Sequence, residues 1–272
     1  MPPPDAFDLA LPALPLLPVE SIGAGIDLVL LHGWGLHSEF FRPWLPLLTP
    51  HCRVHLIDLP GHGLSPEVSP FTLPTMAAAV AQSMRAVASR YAVAGWSLGG
   101  AVAQRMAIDF PDAISHLTTL ASSPRFLRAD DWMHATTPHA LELLRGGLRR
   151  DYAGTLAQFF ELNMAAKYAP LAAELAKLGA ARPPVSHIAL DDGIALTSDV
   201  DLRAEITHIR SPVLAISGRL DRLSYSQSSA WLAAATGGTH IDLPHSAHVP
   251  HLTDPEATAQ ALLAHLQKAS PR

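Results

Sequence analysis

The chain has 272 residues, 49% of them apolar and 16% charged, with a formal net charge of −5 and a single cysteine. Such a composition gives a globular protein with a sizeable core and excludes the basic surface that general nucleic-acid binding demands. One cysteine excludes an internal disulfide framework and fits a reducing compartment.

Residues 9–19 are apolar, yet Asp5 and Asp8 rather than basic residues precede them, and Pro12, Pro15 and Pro18 interrupt any helix. A signal peptide needs the opposite pattern, and a membrane span needs about 20 apolar residues. Residues 1–25 therefore read as an extended, proline-punctuated arm, on a cytoplasmic protein that meets no membrane. Residues 27–31, Asp27 followed by the apolar run Leu28 to Leu31, read as a buried strand that ends at His32-Gly33-Trp34-Gly35. A second strand covers residues 54–58 and ends at Pro60 and Gly61; Cys52 sits at its start, where a buried, inert thiol is expected. Residues 73–90 are helical, and residues 91–94 end the next strand.

Between that strand and a helix-like run from Gly100 stands Gly95-Trp96-Ser97-Leu98-Gly99. The bare G-x-S-x-G pentapeptide is common by chance. In a strand–turn–helix context it is a nucleophile elbow, in which small flanking residues admit a turn tight enough to lift the serine Oγ clear of the sheet. Residues 114–120 are another strand. From 124 to 209 the strand pattern vanishes and apolar stripes of helices take over, carried by Leu141, Leu143, Leu144, Phe159, Phe160 and residues 171–178, with a break at Arg182-Pro183-Pro184. Residues 212–217 and 240–243 complete the strands. Asp254 and Pro255 open a last helix that runs to Leu266, as N-cap and first helical residue. Alternating strands and helices give a mostly parallel sheet flanked by helices, an α/β core of residues 26–123 and 210–272. Residues 124–209 are then a helical cap inserted over one sheet edge.

A serine hydroxyl needs a base to take its proton. His248 follows the last strand directly, at the carboxyl edge where the elbow also lies; His245 and His251 are its rivals. The three-residue spacing of these histidines also suggests a metal cluster, but Pro244 and Pro250 argue against the unbroken helix that would hold one. Asp221, after the penultimate strand, is the carboxylate that would orient the imidazole, and the order Ser97, Asp221, His248 is that of α/β-hydrolases. The backbone N–H groups of Trp34 and Leu98 are the candidate oxyanion hole, and His32 reads as a structural histidine holding that loop. No metal or cofactor is called for.

These motifs, in this order, resemble the α/β-hydrolase superfamily. The runs His32-Gly33-Trp34-Gly35-Leu36, Asp58-Leu59-Pro60-Gly61-His62-Gly63, Gly95-Trp96-Ser97-Leu98-Gly99-Gly100 and Ala121-Ser122-Ser123-Pro124 carry the likeness. With Asp131-Trp132, they are most similar to the pimeloyl-acyl carrier protein methyl ester esterases of biotin synthesis, over residues 26–267. The resemblance implies a monomeric serine carboxylesterase whose partner is a substrate-bearing acyl carrier protein. It further implies an acyl pocket lined by Phe159, Phe160, Glu161, Leu162 and Asn163 beside Trp34, Ser97, Leu98 and His248. Gln158 and Leu171 stand where that family places carrier-holding arginines, which leaves Arg145, Arg149, Arg150 and Lys167 for that role. A broad short-chain esterase or carbon–carbon bond hydrolase of the same fold, or a non-catalytic ligand-binding receptor, are the alternatives.

Overall fold

The computed structural model describes residues 14–164 and 167–269. Its elements are β1 (Val19–Gly23), β2 (Ile26–Leu31), α1 (Leu45–Leu48), β3 (Cys52–Ile57), α2 (Leu73–Met84), β4 (Tyr91–Trp96), α3 (Leu98–Asp109) and β5 (Ile114–Leu120). Then follow α4 (Pro138–Arg150), α5 (Tyr152–Met164), α6 (Tyr168–Gly179), α7 (His187–Asp199), β6 (Val213–Gly218), α8 (Ser226–Thr236), β7 (Thr239–Leu243), α9 (Pro250–Thr253) and α10 (Pro255–Leu266).

The seven strands form one sheet in the order β1-β3-β2-β4-β5-β6-β7, parallel except for β1. Leu28, Val29, Leu30 and Leu31 are fully buried, and so is all of β4. Burial of both faces is what a parallel sheet with crossover helices requires, and it explains why these strands read as unbroken apolar runs. Helices α1 and α10 pack together on one side, and α2 with α3 on the other.

Strand β1 departs from the expected arm. Val19 pairs with Ile57 and Gly23 with Arg53, antiparallel to β3, at the edge of the sheet. An edge strand tolerates Pro18 beside it and leaves Glu20 and Ser21 exposed, so it lacks the apolar signature of the central strands. Residues 1–13 of the expected arm lie outside the described residues. Cys52 is buried, and burial pushes its thiol up to about 11, which keeps it protonated and inert.

Register aligns one end of the sheet. Leu31 pairs with Gly95, Gly95 with Thr119, Leu120 with Ile216, and Gly218 with Leu243. The loops after β2, β4, β6 and β7 therefore leave from the same carboxyl edge. The chain crosses from β2 to β3 on one side and then to β4 on the other. That reversal opens a crevice beside Ser97.

Candidate active site

Strand β4 passes into α3 with only Ser97 between them, and Ser97 takes φ 54° and ψ −118°. A non-glycine residue with positive φ is strained and persists only when its surroundings hold it. Here the Ser97 N–H donates to Leu120 O at 2.9 Å, while its carbonyl accepts from Gly100 N–H at 2.9 Å and the Ser122 hydroxyl at 2.7 Å. The flanking glycines are needed for space. A Cβ on Gly95 would run into the Gly99 carbonyl, and one on Gly99 into the carbonyls of Leu31 and His32.

Ser97 Oγ lies 3.0 Å from His248 Nε2, and His248 Nδ1 lies 2.8 Å from Asp221 Oδ2. The other Asp221 oxygen accepts the N–H groups of Leu223 at 2.7 Å and Ser224 at 3.0 Å, so the buried carboxylate is fixed before the imidazole meets it. Trp96 donates its indole N–H to the His248 carbonyl at 2.6 Å, tying the histidine loop to the elbow.

The rival histidines have different surroundings. His245 is exposed, whereas His251 is fully buried against the rings of Phe41, Trp44 and Trp96. His245→Ala is expected to leave turnover unchanged. His251→Ala should open a cavity and destabilise the fold by about 2–4 kcal/mol, with near-normal kcat in the folded fraction at low temperature. Urea unfolding and steady-state rates on both variants check this; loss of turnover in His245→Ala would move the base to that position.

The loop after β2 is held by two more buried histidines. His32 Nε2 accepts the Leu59 N–H at 2.8 Å, which puts the proton on Nδ1, where it is donated to Gly33 O at 2.8 Å. His62 Nε2 accepts the Gly35 N–H at 3.2 Å, and its Nδ1 donates to Pro60 O at 2.9 Å. His32 is thus the structural residue that its position in the sequence suggests. The Trp34 and Leu98 N–H groups meet no acceptor among the described residues; Leu98 opens α3, at the positive end of that helix.

Burial lowers His32 and His251 to about 3, and His62 and His265 to about 4, from an ordinary 6.5. Each stays neutral in the fold between about pH 4 and 6.5 while the unfolded chain binds the proton. Stability should therefore fall as pH drops through that window. Urea midpoints at pH 7, 6 and 5 measure this; a flat profile would show that these imidazoles take up protons in the native state.

The model of the alpha/beta hydrolase family matches residues 28–261. The chain belongs to that family. It is 35% identical, over 241 residues, to the pimeloyl-[acyl-carrier protein] methyl ester esterase of Nitrosomonas europaea, covering 88% of this chain and 94% of that one. It is 36% identical to the protein of the same name from Xanthomonas campestris pv. campestris (strain B100), covering 90% and 96%. An esterase from Exiguobacterium antarcticum superposes with a TM-score of 0.83 at 22% identity, covering 93% and 96%, a likeness of fold alone.

As in other members of an α/β fold, substrate choice rests on what surrounds the reacting groups. Helices α4 to α7 lie between β5 and β6, and part of them walls a cleft above Ser97 of about 570 Å³, counting its opening to solvent. Phe126, Leu141, Leu144 and Phe159 supply apolar walls, with Thr136 and Thr197 among them.

The five-residue run expected to line this cleft does so at one position. Phe159 stands edge-on to the His248 ring, 6.0 Å between centroids. Phe160 turns under the helix onto Phe40, Glu161 is exposed, Leu162 is 75% exposed, and Asn163 donates to the Phe159 carbonyl. Successive residues of α5 point about 100° apart, so one face alone can reach the cleft. The missed walls Leu141 and Leu144 lie three apart on α4, a spacing visible in the sequence, but nothing there shows which way that face turns.

The candidate carrier-binding cations are not equally available. Arg145 pairs with Glu142 at 2.6 Å and, with Arg149, engages Asp191 on α7, while Lys167 donates to the Thr253 carbonyl. Arg150 is exposed and makes no ion pair among the described residues.

Proposed function

We propose that this chain is a serine carboxylesterase that hydrolyses the methyl ester of a pimeloyl group carried on acyl carrier protein, giving methanol and the free carboxylate. The hydrogen-bonded line from Ser97 through His248 to Asp221, at the base of an apolar cleft, is the observation that supports the reaction class. The 35–36% identity to proteins named for this activity, over about nine-tenths of the chain, supports the substrate.

In this reading Ser97 Oγ attacks the ester carbonyl carbon as His248 Nε2 takes its proton. The tetrahedral oxyanion is received by the Trp34 and Leu98 N–H groups. Asp221 holds the imidazole in the right tautomer and stabilises its cation. His248 returns the proton to the departing methoxide, and methanol leaves an acyl-enzyme. Water then attacks with His248 as base, Ser97 recovers its proton, and the carboxylate departs. No cofactor takes part. We read residues 124–209 as the cap that shapes the acyl site, and the enzyme as a cytoplasmic monomer.

The test is methanol release from methyl pimeloyl-acyl carrier protein against free short-chain methyl esters. A kcat/KM higher by tenfold or more for the carrier-bound ester is expected; equal or lower values would leave a broad short-chain esterase.

Docking of the carrier supplies a second expectation. A strongly acidic partner must approach a chain that is itself net negative, so a local basic site has to guide it. Arg150→Glu should raise KM for the carrier-bound ester severalfold, less so at high salt, and leave p-nitrophenyl butyrate hydrolysis unchanged. Arg149→Glu is a poorer probe, because it would set a glutamate against Asp191 and loosen α4 from α7. An unchanged KM for Arg150→Glu would take that residue out of the docking surface.

A further inference from the structure

Three inserted helices converge on the short loop that offers the Trp34 N–H. Tyr152 of α5 donates its hydroxyl to Gly35 O at 3.0 Å. The Trp34 indole donates to Ala189 O on α7, also at 3.0 Å. Gly35 has φ +74°, and Leu148 of α4 lies where a Cβ on Gly35 would point, 3.0 Å from it. Gly193 of α7 lies flat against the indole, and a Cβ there would run into Trp34 Nε1.

Peptide groups on both sides of Trp34 have protein partners. Gly33 O, on the same peptide as the Trp34 N–H, accepts from His32 Nδ1 at 2.8 Å and from the Leu36 N–H at 3.2 Å. The Gly35 N–H donates to His62, and the Gly35 carbonyl is taken by Tyr152. The Trp34 N–H meets no acceptor among the described residues. The core imidazoles hold this loop from one side, and the inserted helices hold it from the other.

We infer that Tyr152 and the Trp34 indole are positioning residues for the oxyanion hole, so that helices α5 and α7 set the direction of the Trp34 N–H as well as walling the cleft. A hydrogen bond weakens steeply as its angle closes, and one oxyanion donor is worth about 10²–10³ in kcat. Tilting a donor forfeits part of that value without touching ground-state binding. Burial pushes the Tyr152 hydroxyl up to about 12, so it remains a donor across the working pH range.

The inference rests on the serine-esterase reading but not on the carrier. Its test uses p-nitrophenyl butyrate, which needs no docking, and an alkyl trifluoromethyl ketone. Ser97 Oγ adds to the carbonyl carbon of that ketone, its proton passes to His248, and the ketone oxygen becomes an oxyanion in the hole. Tyr152→Phe should lower kcat about fivefold and Trp34→Phe about tenfold or more, with KM within twofold. The affinity for the trifluoromethyl ketone should fall by the same factors. Gly193→Ala, which displaces the indole without removing any hydrogen-bonding group, should give the same pattern. Ser198→Ala, on α7 but with its hydroxyl donated to the Ile194 carbonyl of the same helix, should change nothing.

Thermal melts identify any variant that fails to fold, and the decision then rests on the folded ones. Unchanged kcat and ketone affinity in folded Tyr152→Phe and Gly193→Ala, or losses confined to KM, would overturn the inference. A wild-type protein that neither hydrolyses the ester nor binds the ketone would instead overturn the serine-esterase reading itself.

Discussion

Asp221→Asn is expected to lower kcat about 10⁴-fold at neutral pH while leaving the fold intact. The reason lies in the two backbone donors behind the carboxylate. Leu223 and Ser224 present N–H groups to one oxygen of residue 221, so an asparagine must turn its own oxygen toward them. Its NH₂ group then faces His248 Nδ1 and forces that nitrogen to be the acceptor. The imidazole proton moves to Nε2, where it confronts Ser97 Oγ and bars the histidine from acting as base. Steady-state kinetics with an unshifted melting curve checks this; activity within tenfold of wild type would mean that Asp221 does not set the tautomer.

Ser97→Ala should abolish turnover by at least as much, about 10⁴-fold or more, because Ser97 Oγ is the group hydrogen-bonded to His248 Nε2 among the described residues. Alanine keeps the Cβ at a positive φ, so the elbow and the core should persist. The double variant Ser97→Ala/His248→Ala should be no slower than Ser97→Ala alone, since the two side chains act as one unit. Multiplying losses would show that His248 works through a different group. Near-normal activity in Ser97→Ala would remove the assignment altogether.

The sequence made the centre of the molecule legible because the central strands are buried on both faces. Leu28 to Leu31 and Tyr91 to Trp96 need apolar residues at every position, and each such run ends at a loop on the same edge. Chain order then singles out Ser97, Asp221 and His248, the side chains that the fold sets in one hydrogen-bonded line. The edge strand was hidden, since Glu20 and Ser21 face solvent and prolines stand before it. The cleft walls were hidden for another reason. A run such as Phe159 to Asn163 fixes which residues share a helix but not the rotation of that helix over Ser97, and that rotation put Phe159 alone against His248. Tyr152 offered no local signal at all, because its partner Gly35 lies 117 positions away.

The contact between the inserted helices and the Trp34 loop bears on how such enzymes diversify. Were α4 to α7 an independent module, they could be exchanged between family members to transplant acyl preference. Here Ala189, Gly193, Tyr152 and Leu148 are shaped to one loop sequence, so a graft of residues 124–209 alone would mate foreign helices with a resident tryptophan. Chimeras should recover turnover only when the segment around residues 33–36 travels with the graft, and lineages that changed one would have had to change the other.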